Sequence, residues 1–178
     1  MNAGSAQILE SDIALGVAVD ADQYLTFLLE GEEYGVDILR VQEIRGWERT
    51  TPIPNTPDHV QGVINLRGTI VPIVDLRRRF GLPVREYGPK TVVVVLRAES
   101  GGRERTMGIV VDAVSDVYNL PEAEVAPPPD LGSAIRIDFV RGLATVEGKM
   151  VIVLDVDRLL DADALAAAEE AEPGEVQR

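Results

Sequence analysis

Few residues in this chain have the types and spacing that catalysis needs. The single histidine, His59, directly follows an Asn55-Thr56-Pro57-Asp58 turn. A nucleophilic triad would need it beside a serine. Ser5, Ser11, Ser100, Ser115 and Ser133 fall in tails, turns or an apolar stretch, and none has a nucleophile-elbow pattern. Cysteine is absent, which excludes thiolate nucleophiles, disulfides and zinc–thiolate sites. Asp112 and Asp116 are close in sequence, but no calcium-loop spacing surrounds them. Neither a P-loop nor a G-x-G-x-x-G occurs. Asp75 and Asp155 are the one pair of matched carboxylates. Each ends an apolar run and precedes a short helical pattern, so each reads as a helix cap. The expectation is a chain with no catalytic residue, no metal site and no cofactor.

Two features suit binding better. Val41-Gln42-Glu43-Ile44-Arg45-Gly46-Trp47 sets apolar and charged side chains together beside the only tryptophan. Arg67 stands at an Arg-Gly turn, where a side chain has little to stabilise and much to touch. Arg77-Arg78-Arg79 reads more simply, as cations at the negative end of a short helix.

These residues are positioned by one recurring design. Gly62 to Asp75 holds two Val- and Ile-rich runs flanking Arg67-Gly68, which reads as a hairpin. Asp75 then caps a helix over Leu76 to Phe80, stopped by Gly81. Pro72 cannot donate to a ladder and is expected at an edge or bulge. Gly62, Gly68, Val71 and Asp75 return eighty residues later as Gly142, Gly148, Val151 and Asp155. Tyr34-Gly35-Val36-Asp37 similarly resembles the run from Met107-Gly108 to Asp112. Each half reads as strand, turn, strand, a helical turn (Ile38, Val41 and Ile44 in one half, Val114 and Val117 in the other), a proline-bearing segment, and a capped hairpin. The continuous apolar run Thr91 to Leu96 fits a strand covered on both faces.

The fold expected is mainly β: two small five-stranded antiparallel barrels related by internal duplication, with short helices and a C-terminal helix. Their expected spans are a first barrel over about 23–81, a connector over about 82–90 and a second barrel over about 91–154. The helix should start near 155. Closure would remove edges that Val-rich strands otherwise expose. Residues 1–21 and 161–178 are expected to be a mobile tail and an acidic, partly disordered tail.

Composition bounds the function. Among 178 residues, 46% are apolar but only 4% aromatic, so the core must be mostly Val, Ile and Leu. The net charge of −13 is concentrated towards the ends. No basic face is apparent, which disfavours nucleic acid. No apolar run has the roughly 20 residues a membrane span needs, and the N-terminus lacks a signal-peptide pattern. Direct membrane insertion is therefore not expected, and the cytoplasm is.

The segment Phe27 to Gly46, followed by Asn65-Leu66-Arg67-Gly68-Thr69-Ile70-Val71-Pro72-Ile73-Val74-Asp75-Leu76, resembles the CheW family of chemotaxis coupling proteins. Gly108 to Val117 resembles its second half, and the likeness spans about Gln23 to Leu160. The resemblance implies a non-enzymatic adaptor with two SH3-like barrels. It implies two partners: the regulatory domain of the histidine kinase CheA, and the cytoplasmic tips of methyl-accepting chemotaxis receptors. It also implies recruitment to receptor arrays at the inner face of the membrane. Val41, Glu43, Gly62, Arg67 and Val117 match family positions associated with receptor coupling. Glu43 is expected to hold the Arg67 guanidinium. Kinase contacts would use apolar residues at barrel ends. The length leaves no room for a kinase or receiver segment, which favours a free-standing coupler. Service to a chemosensory-like phosphorelay outside motility stays open as an alternative. The chain departs from the family in the Ser100 to Glu104 insertion, the Pro127-Pro128-Pro129 run and the long acidic tail.

Overall fold

The computed structural model describes residues 22–129 and 139–161. The expected N-terminal tail, the stretch around Ile135 and the acidic tail beyond 161 lie outside the described residues. The first half runs β1 (Gln23–Leu29), β2 (Glu32–Asp37), a 3-10 turn (Ile38–Arg40), β3 (Val41–Gly46), β4 (Val60–Leu66), β5 (Thr69–Asp75) and helix α1 (Leu76–Arg79). The second runs β6 (Val92–Ser100), β7 (Arg103–Val111), β8 (Ala113–Asn119), a 3-10 turn (Glu122–Glu124), β9 (Val140–Val146) and β10 (Lys149–Leu154). Residues 156–161, here α2, are helical.

The strands form two five-stranded sheets, ordered β8-β1-β2-β10-β9 and β3-β6-β7-β5-β4. Each SH3-like barrel therefore takes its first hairpin from one half and its last three strands from the other. The expected boundaries, about 23–81 and 91–154, do not enclose one barrel each and are corrected here. β2 passes through a single 3-10 turn, capped by Asp37 accepting from the Leu39 N–H, and continues as β3 in the other sheet. The exchange also changes the pairing: β5–β7 and β10–β2 are parallel, while the other ladders are antiparallel.

The duplication holds at the level of single hydrogen bonds. Ile64 faces Val71 and Ala144 faces Val151, each pair on a hairpin with the same shift near its base. The Asp75 N–H donates to the His59 carbonyl at 2.7 Å, and the Asp155 N–H to the Phe139 carbonyl at 2.8 Å. Both aspartates cap as expected: Asp75 accepts from Arg77 and Arg78 N–H, Asp155 from Arg158 N–H.

Two local readings change. The segments expected to turn helically around Val41 and Val117 are strands. In β3 the register shifts between Val41 and Glu43, and in β8 between the residues opposite Leu25 and Phe27. An extra residue in a bulge converts a spacing of two into three, which mimics a helical period. Pro72 lies in an interior strand rather than at an edge, directly before the β5–β7 ladder begins at Ile73.

Both barrels close through the segment after their third strand. Thr51 exchanges two backbone hydrogen bonds with Val63 of β4, and Ala126 does the same with Leu143 of β9. The run from Thr91 to Leu96 is covered on both faces, as expected. Val93 and Val95 fill one barrel with Ile64, Val71 and Ile73. Val94 and Leu96 face a larger core shared between the sheets, with Leu25, Phe27, Val36, Leu154, Leu159 and Leu160.

Candidate functional site

The residues at the closing seam of the β3–β7 barrel form a charged cluster. Glu43 and Arg45 are two apart on β3, so they project from the same face. The β4–β5 hairpin tip reaches that face because the barrel is closed. Its turn puts Arg67 at φ 51° and Gly68 at φ 89°, the left-handed pair of a two-residue hairpin turn whose twist matches the strands. The Asn65 side chain accepts from the Gly68 N–H and tightens the turn.

Arg67 Nη2 donates to Glu43 Oε1 at 2.6 Å, so the expected ion pair is present. Arg45 Nη1 donates to the other oxygen, Oε2, at 2.8 Å, and its Nη2 to Glu48 at 3.1 Å. Burial disfavours the Glu43 carboxylate, but the hydrogen bonds from Arg67 and Arg45 outweigh it and hold its pKa below the ordinary value. Exposure separates the roles: the Glu43 side chain is 21% accessible and that of Arg67 71%. Glu43 is an anchor and Arg67 the group presented. Ile70, the second residue of β5, is 59% exposed.

The other expected site residues lie elsewhere. Gly62 is in β4 at φ 132°, and a Cβ there would run into the Thr51 carbonyl. Its role is to let the closing segment cross β4. Val41 is buried in the core shared by the barrels, and Val117, half-buried on β8, packs against the same core. The structure thus brings together Glu43 and Arg67, places Gly62 on the same hairpin, and sets Val41 and Val117 at the junction of the sheets. Reading the β3 segment as a helical turn hid the alternation that puts Arg45 on the face of Glu43.

A cleft of about 440 Å³ is lined by Asp75, Arg77, Arg85, Tyr87, Lys90 and Asp112, among others. Its central charges are engaged with one another. Arg77 grips both oxygens of Asp112 at 2.7 Å, contacts Glu30 at 2.6 Å and donates to the Pro83 carbonyl. The Tyr87 hydroxyl donates to the second oxygen of Asp75 at 2.6 Å. The triple-arginine reading is thereby revised: Arg77 is a buried structural clamp. No group of His, Cys, Asp and Glu arranged to hold a metal occurs among the described residues.

The comparisons agree with this architecture. The CheW-like domain family matches residues 23–164. A chemotaxis protein CheW of Klebsiella aerogenes is 44% identical over 81% of this chain and 84% of its own length. One from Rhizobium meliloti is 36% identical over 82% and 92%. The crystal structure of the scaffolding protein TtCheW from Thermoanaerobacter tengcongensis superposes with a TM-score of 0.70 at 34% identity, covering 80% of this chain and 90% of that one. With two duplicated five-stranded barrels and this coverage, the chain belongs to the CheW family of chemotaxis scaffold and coupling proteins.

Proposed function

We propose that this chain is a non-enzymatic adaptor that couples methyl-accepting chemotaxis receptors to the histidine kinase CheA. The observation that carries the reading is Arg67: a charged side chain at a hairpin tip, largely exposed, yet oriented by a half-buried carboxylate. A surface pair of this kind adds at most about 1 kcal/mol to folding. An oriented guanidinium is well suited to backbone carbonyls or carboxylates on a receptor helix. Val41 and Val117 would act through the shared core, by setting how the barrels meet around a receptor tip. Gly62 would act by fixing the hairpin that carries Arg67. Apolar contacts at barrel ends would hold the CheA regulatory domain. Receptor binding would bring the adaptor to arrays at the inner membrane face. None of the described helices is long and apolar enough to cross a membrane.

The test is co-precipitation of the full chain with a receptor cytoplasmic-tip fragment and, separately, with the CheA regulatory domain. The wild type should retain both. A Glu43→Ala, Arg67→Ala double variant should lose about tenfold in receptor-tip affinity, near 1.4 kcal/mol, with CheA binding preserved. Normal receptor binding by the double variant would remove Arg67 and Glu43 from the site. Failure of the wild type to bind any CheA would overturn the coupling function.

A further inference from the structure

Arg45 matches no position associated above with receptor coupling, yet it is built into the Arg67 cluster. Its guanidinium lies between Glu43 Oε2 and Glu48 Oε2. Its Nε is buried without a hydrogen-bond partner, so Arg45 is held by its two carboxylates rather than by full use of its donors. A free carboxylate facing an arginine normally takes both oxygens into a paired, fork-to-fork contact. Glu43 does not do this with Arg67: Arg45 holds Oε2, which fixes the plane of the carboxylate, and Oε1 alone meets Arg67. Arg67 is therefore tethered through Nη2 alone. Of its five N–H donors, one is engaged among the described residues, and a complete fork stays open on a side chain that is 71% exposed.

We infer that Arg45 is a positioning residue for Arg67: by holding one oxygen of Glu43, it fixes the carboxylate that aims the Arg67 guanidinium at a carboxylate on a partner helix. This rests on the reading of Arg67 as the receptor-facing group. Without Arg45, the Glu43 carboxylate is free to rotate, and Arg67 loses the fixed anchor that sets its direction. Glu48 holds the other end of the Arg45 guanidinium. Arg45 touches no partner itself and acts through Glu43.

The experiment measures receptor-tip affinity for the wild type, Arg45→Ala, Arg45→Lys, Arg67→Ala and the Arg45→Ala, Arg67→Ala double variant. Unfolding curves and the NMR titration of the Glu43 carboxyl are recorded alongside. Arg45→Ala should weaken binding about fivefold, the scale of one exposed charge pair, and Arg45→Lys should recover most of it. Removing Arg45 should also raise the Glu43 pKa towards the ordinary value. In the Arg67→Ala background, Arg45→Ala should weaken binding no further, because the effect passes through Arg67. Equal weakening in both backgrounds would show a merely structural role and overturn the inference. So would wild-type affinity for Arg45→Ala alongside a weakened Arg67→Ala. Wild-type affinity for Arg67→Ala would instead overturn the receptor-facing reading of Arg67, and this inference with it.

Discussion

Gly62 and Gly68 sit on the same hairpin and are both at positive φ, yet they answer to different forces. At Gly68 a Cβ meets nothing within 4 Å, so Gly68→Ala pays only for the left-handed backbone, about 1–2 kcal/mol. At Gly62 the same substitution meets the Thr51 carbonyl as well, and that carbonyl accepts the Val63 N–H which closes the barrel. Gly62→Ala should therefore cost more than Gly68→Ala in denaturant unfolding, above about 2 kcal/mol, in the upper range for single substitutions. Equal costs would mean that the closing segment yields freely. At this scale the charged pair was legible through the family resemblance: the residues alone marked a hairpin-tip arginine and a charged patch beside Trp47, and the resemblance joined Arg67 to Glu43. Arg45 was not, because its significance depends on which oxygen of Glu43 it occupies, and that follows from strand register rather than residue type. The scaffold role of Gly62 was hidden for the same reason, since Thr51 reaches it only through closure.

Between elements, two clamps join the sheets at equivalent places with their charges reversed. Arg77 follows β5 and grips Asp112 between β7 and β8; Asp157, at the matching position after β10, is gripped by Arg40 through two bonds of 2.7 and 2.8 Å. The Arg77 side chain is only 4% exposed, whereas Arg40 and Asp157 are about a third exposed. Removing a buried partner strands a charge, so Arg77→Ala should cost about 3–5 kcal/mol. Arg40→Ala should cost nearer 1 kcal/mol, and chemical denaturation of the two variants decides the order. The connector after α1 is strapped down separately. Burial first, and then the hydrogen bond to Asp75, push the Tyr87 pKa above its usual value near 10. The protonated phenol is thus favoured in the folded state. Its contribution is complete below the unfolded pKa and disappears as pH rises through the higher folded value. Tyr87→Phe should cost about 1 kcal/mol at neutral pH and should flatten the loss of stability above pH 10. An unchanged alkaline profile would show that Tyr87 carries no such linkage. Caps, hairpins and glycine stops were readable because they are local. The strand bulges were misread as helical turns because an inserted residue and a helical period leave the same apolar spacing.

At the scale of the whole molecule, the repeat was legible and the exchange was not. An offset of eighty residues records that two halves share one plan, but either half could in principle have paired its own strands. Sequential strands usually do neighbour one another. What decides otherwise is the short 3-10 turn after β2, which sends β3 onward into the other sheet instead of back onto its own hairpin. The shared core then gathers Leu25 and Leu154 from one sheet and Val74, Val94 and Ile109 from the other. A consequence is that neither half can complete a barrel alone. The first half contains β1 and β2 without their β8 and β10 neighbours, and β3, β4 and β5 without β6 and β7. A chain cut within the connector, between Gly88 and Pro89, should therefore give two fragments that are unfolded separately by circular dichroism. When mixed or co-expressed, they should form a one-to-one complex with the native β spectrum and a single cooperative melt. The intact chain should likewise unfold in one transition, since the shared core leaves no barrel that can melt by itself. A cooperatively folded isolated first half, or two resolved transitions in the intact chain, would show that the barrels are energetically separable despite their exchanged strands. Under the proposed coupling role, the same shared core would give Val41 and Val117 a route to the surface that carries Arg67. Both pack into the core that fixes the barrels against each other, so enlarging either side chain should alter the inter-barrel angle before it unfolds the chain. Val117→Met should lower receptor-tip affinity more than it lowers the unfolding midpoint, and paired binding and melting measurements on that one variant decide between geometry and stability.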